Sequence, residues 1–117
     1  MNKLMKYLAD VNRTALIVSL KKPFIDWIKY IDPAVDFLEE KHDSKTVYLL
    51  PEGSDNGRWE RYLKKNFDTI FEQELEAWFT DPKLWPKDRS WKVFNEWLDY
   101  EMHSIIFDTV NEPIEKE

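Results

Sequence analysis

The stretch from Arg58 to Phe79, RWERYLKKNFDTIFEQELEAWF, limits what this chain can fold into more than any other part of it. Apolar residues at Trp59, Tyr62, Leu63, Phe67, Ile70, Phe71, Leu75 and Trp78 recur at i, i+3 and i+4, the spacing that lines one side of an α-helix. A helix with so aromatic a face has to be covered, and the rest of the chain is read as its cover. The charges on the other face are sorted by sign, with Arg58, Arg61, Lys64 and Lys65 early and Asp68, Glu72, Glu74 and Glu76 late. That order opposes the helix dipole, which favours anions at the N-terminus and cations at the C-terminus by ~0.3–1 kcal/mol per charge. It also sets like charges at i, i+4, as in Arg61/Lys65 and Glu72/Glu76. Groups outside the helix are therefore expected to hold it, and Arg58, Arg61 or Lys64 are expected to have acidic partners.

The 117 residues suit one domain. At 43% hydrophobic and 34% charged, with two Gly, the composition is that of a globular protein. Six Trp, five Tyr and seven Phe exceed what a core of this size usually needs, so part of the aromatic surface is expected at a groove or interface. The absence of Cys excludes disulfides, thiolate zinc sites and Cys nucleophiles. The N-terminal apolar run, Ala15 to Leu20, is too short and too late for a signal peptide, and no stretch reads as membrane-spanning, so a soluble cytoplasmic protein is expected. Residues 1–30 carry six Lys/Arg against two Asp/Glu, whereas residues 66–117 carry five against thirteen. So acidic a second half disfavours nucleic acid and suits a protein partner with a basic surface.

In chain order, residues 1–12 read as an arm or short helix, residues 13–110 as a single domain and residues 111–117 as an acidic tail. Thr14 to Leu20 (TALIVSL) is apolar on both faces, as in a buried central strand. Pro23 opens a helix with Phe24, Trp27, Ile28 and Ile31 on its buried side, and Asp32-Pro33 opens a second short one through about Glu40. The polar break KHDSK, Lys41 to Lys45, makes His42 a surface residue. Thr46 to Leu50 is a second strand, stopped by Pro51. After the long helix, Thr80 or Asp81 caps a turn at Pro82, and Asp88 or Ser90 caps a helix with Trp91, Phe94, Trp97 and Leu98 on one side. The period then shifts toward 2, which predicts a third strand from Tyr100 to Phe107. The fold class is α+β: a small three-stranded sheet covered mainly on one face by the long amphipathic helix and shorter helices. Its first crossover is right-handed if the strands it joins are parallel.

The blocks PFIDWIKYIDP (Pro23 to Pro33), VYLLPE (Val47 to Glu52) and LEAWFTDPKLWPKDRSWKVFNEWLDYEMHSIIFD (Leu75 to Asp108) resemble a family of small uncharacterised conserved bacterial proteins. The resemblance runs from about Arg13 onward and implies no activity, cofactor, partner or site residue.

Three segments are candidates for chemistry. Gly53 to Gly57, followed by Arg58, Arg61 and Lys64, has the strand, glycine loop and helix start that bind anions, although it lacks the Lys-Ser/Thr pair of a P-loop. As a plain turn, it needs its two glycines and Ser54 or Asp55 as a cap. Asp99, Glu101 and His103 alternate along the third strand and suit a metal or acid–base site if Asp26 or Glu52 joins them; otherwise they are a solvated sheet face. Trp85, between Lys83 and Lys87 in a proline-bounded turn, is either an exposed anchor for a partner or a lid over the end of the long helix. Together these point first to a non-enzymatic interaction domain with an acidic, Trp-containing surface and no cofactor or metal. A small metal-dependent hydrolase using Asp99, Glu101 and His103 and an anion-binding module over Gly53 to Lys65 are the alternatives.

Overall fold

The computed structural model describes residues 9–35, 45–53 and 57–117. Its elements are β1 (Ala9–Asp10), β2 (Arg13–Leu20), α1 (Lys22–Ile31), β3 (Thr46–Pro51), α2 (Arg58–Trp78), a single 3₁₀ turn (Pro82–Leu84), α3 (Trp91–Trp97), β4 (Leu98–His103) and β5 (Phe107–Asp108). The helix expected through Glu40, the break at His42 and the cap expected at Ser54 or Asp55 fall outside the described residues.

The main sheet has the order β3-β2-β4, with both pairings antiparallel. The handedness of a parallel crossover therefore does not arise. Its central strand is the one that reads as apolar on both faces. Leu16 pairs with Tyr48 on one side and Met102 on the other, and Val18 pairs with Thr46 and Tyr100. Because side chains alternate across a strand, Thr14, Leu16, Val18, Leu50, Tyr48, Thr46, Leu98, Tyr100 and Met102 share one face. The helices lie on that face. Leu16, Val18, Leu50 and Leu98 form one buried core with Phe24 and Ile28 of α1, Leu63, Ile70, Phe71 and Leu75 of α2, and Phe94 of α3. The α+β architecture, with helices on one side of a three-stranded sheet, is the one that the patterning predicts.

The aromatic excess lies largely in this layer. Phe94 meets Phe67, Phe71, Trp91 and Tyr100, while Trp27 meets Phe24, Phe79 and Trp97, with ring centroids 5.3–6.0 Å apart. These are the distances at which offset and edge-to-face contacts are favourable.

Capping side chains set the boundaries around the short helices. Asp81 accepts from the Lys83 amide at 3.0 Å, and Ser90 accepts from the Val93 amide at 3.3 Å. α2 has no such side chain: Gly57, at φ 78°, stands at its N-cap, a backbone conformation that other residues rarely adopt. The third strand is displaced from its expected bounds. It starts at Leu98, straight out of α3, and ends at His103. Phe107–Asp108 pairs instead with Ala9–Asp10, so the end of the N-terminal arm is part of the fold.

Candidate functional site

The candidates named from sequence stand at separate places. Asp99, Glu101 and His103 pair with Ser19, Ile17 and Ala15, on the sheet face away from the helices. All three are exposed, and His103 Nε2 lies 3.5 Å from Glu101 Oε2. Among the described residues no group of three His, Asp or Glu side chains is placed to hold a metal ion. Asp26, one proposed contributor, pairs with Lys22 on the exposed side of α1 at 2.8 Å.

Trp85 is half-buried. Its indole N–H donates to the Phe79 carbonyl at 2.8 Å, and the Arg89 guanidinium lies 5.9 Å over its ring. Trp27 donates to the Leu84 carbonyl at 2.9 Å, tying the same turn to α1. The lid alternative describes Trp85, then, while Lys83 and Lys87 flank it in solvent. Arg89 also reaches Glu72 at 3.8 Å and so meets part of the acidic half of α2. Arg58, Arg61 and Lys64 are exposed and form no ion pair with any described residue, contrary to the expectation of acidic partners. Gly53 and Gly57 both have positive φ, and a Cβ at either would meet no atom of the described residues, so it is the backbone conformation that favours glycine there.

A site that the sequence reading placed on the charged face lies inside the fold. Glu74 is 5% exposed, on the helix side of β3. Tyr48 Oη donates to its Oε2 at 2.5 Å and Thr46 Oγ1 to its Oε1 at 3.3 Å. Burial raises the carboxyl pKa, against which the two hydroxyl donors act in the opposite direction. Burial and the neighbouring carboxylate push the Tyr48 hydroxyl far upward. No described Lys, Arg or His forms an ion pair with Glu74. The sequence signal was there: position 74 follows Ile70 by four and Phe71 by three, squarely on the apolar stripe.

Beside Thr46 and Tyr48 runs a groove of about 410 Å³ between β3 and α2, its helical wall formed by Tyr62, Asn66, Thr69, Ile70 and Gln73. On the opposite face of the sheet, Val47 and Leu49 are 59% and 49% exposed. Leu49 shares a depression with Arg13 of β2 and with Pro113 and Ile114 near the C-terminus, and Ile114 is 63% exposed. Among the described residues no helix is long and apolar enough to cross a membrane. No protein-family model, curated protein or solved structure matches the chain.

Proposed function

We propose that this small α+β domain is a non-enzymatic interaction module whose docking surface is the open face of the sheet. The observation that carries the reading is the exposure of Val47 and Leu49 on one face of the sheet, with Leu49 sharing a depression with the exposed Ile114. Contiguous exposed apolar surface marks sites of association more often than it serves a monomer. A sheet also presents such a surface with little ordering cost, because its backbone is already fixed. The same face carries Asp99 and Glu101 on β4, at the opposite edge of the sheet from the apolar strip on β3, with β2 between them. The partner is therefore a protein with an apolar patch bordered by Lys or Arg; a second copy would set acidic edges against one another. This moves the docking surface from the Trp85 turn, where the indole is engaged internally, to the far side of the sheet.

The test compares capture from a cell extract by the wild type, Leu49→Asp and Glu101→Lys. One stoichiometric partner held by the wild type, lost with Leu49→Asp and weakened with Glu101→Lys or at raised salt, supports the reading. A partner held equally by all three proteins, or no stoichiometric partner, overturns it.

A further inference from the structure

We propose that the chain forms a two-fold dimer in which α2 packs antiparallel against α2 of a second copy, beside the outer edge of β3. Every exposed residue of α2 is charged except Tyr62, Thr69, Gln73 and Ala77. With the half-buried Asn66, these four recur at intervals of four, three, four and four, which puts them in one stripe along the helix. The stripe flanks a groove whose lining is likewise free of charge. β3 forms the other wall; among the described strands it stands at an outer edge of the sheet, with no charged residue from Thr46 to Pro51. β4, at the opposite edge, carries Asp99 and Glu101. Sheet edges left open are normally blunted by charge, as β4 is, whereas the cores of interfaces between subunits are poor in it.

The order of charge along α2 identifies the occupant. Arg61, Lys64 and Lys65 precede the middle of the helix, Asp68, Glu72 and Glu76 follow it, and none of these three cations pairs with an acid among the described residues. A second α2 running the opposite way sets each half against its complement, whereas a parallel one would set like against like. A two-fold axis between Phe67 and Asp68 brings Tyr62 opposite Gln73 and Asn66 opposite Thr69 of the second copy, so the stripe meets itself. Lys65 and Glu72 border the stripe on its outer side, three residues after Tyr62 and Thr69, and both are exposed. The same axis puts Lys65 of each copy beside Glu72 of the other. Glu72 already has Arg89 at 3.8 Å, and its side chain is still 49% exposed. The contact is made at the helix layer and does not depend on the open sheet face.

Sedimentation equilibrium from about 10 µM to about 1 mM tests the assignment. The wild type should be a monomer–dimer system that weakens as salt is raised. Lys65→Glu and Glu72→Lys each turn two attractive pairs into repulsive ones and should weaken the dimer about tenfold or more. An equimolar mixture of the two variants should associate as tightly as the wild type, because each supplies the charge that the other lacks. A merely structural effect of either change would not be repaired in this way. Thr69→Glu, at an exposed position in the middle of the stripe, should abolish self-association with the fold retained. A wild type that stays monomeric to about 1 mM, a species larger than a dimer, undiminished association of either single variant or of Thr69→Glu, or a mixture no tighter than its components would each overturn the proposal.

Discussion

Glu74 is the residue at which local pattern and tertiary placement disagree most. Desolvation raises its carboxyl pKa, so the folded state keeps the proton at a pH where the unfolded chain has already released it. The stability that goes with this proton is fully present below the ordinary glutamate value of 4.5 and is lost as pH rises through the raised one. Glu74→Gln removes that dependence. Urea midpoints from pH 4 to 8 should therefore show the variant gaining relative to the wild type as pH rises above about 4.5, and the difference then levelling off. A difference that stays flat or falls across this range would mean that Glu74 is not desolvated. Tyr48→Phe has the opposite consequence at neutral pH, since it leaves a buried carboxylate oxygen without its shorter hydrogen bond. A loss of about 1–3 kcal/mol is expected from urea unfolding at pH 7, and a loss below 0.5 kcal/mol would show that water or a neighbour replaces the hydroxyl. Glu74 was only half-legible in the sequence. Its place on the apolar stripe is plain from Ile70 and Phe71, but the Glu72, Glu74 and Glu76 alternation suggested a solvated acidic patch, and only the position of Tyr48 and Thr46 on the facing strand β3 shows why the carboxyl is tolerated.

At the scale of elements, α2 was the most legible because its period runs unbroken for six turns. β2 was nearly as clear, since an apolar run on both faces has no good place except the middle of a sheet. β4 was harder: Leu98 fits both the helical stripe of α3 and the alternation that follows, so the sequence alone does not show where one ends. The apolar run Ile105, Ile106 and Phe107 reads as strand, yet the ladder with β2 ends at His103, opposite Ala15, and the chain turns away to pair with the N-terminal arm. The basic start of α2 has no described partner, which leaves its conflict with the helix dipole in place. Arg58→Glu, in the exposed first turn, should therefore raise stability by about 0.3–1 kcal/mol at low ionic strength, with a smaller gain in 0.5 M salt. Destabilisation would reveal an acidic group that relies on this arginine.

Across the whole molecule, a sheet covered on one face divides large apolar side chains into two sets that sequence patterning does not separate. Leu16 and Leu49 are both strand leucines within apolar runs, yet one is fully buried and the other half exposed, because they face opposite sides of the same sheet. Parity along β3 is visible in TVYLL, but which parity faces the helices is fixed only by the register with β2. The two sets should respond differently to substitution. Phe94 is fully buried at the meeting point of Phe67, Phe71, Trp91 and Tyr100, so Phe94→Ala opens a cavity that three elements cannot close together. Its expected cost is about 3–5 kcal/mol, a large fraction of the stability of a domain this size. Leu49→Lys places its charge in water and removes an exposed apolar contact, so its expected effect is within about 0.5 kcal/mol. Thermal and urea unfolding of the two variants beside the wild type measures the division. Comparable losses from Phe94→Ala and Leu49→Lys would mean that the face bearing Val47 and Leu49 is covered in solution, and the docking surface would then have to be sought on the helical side.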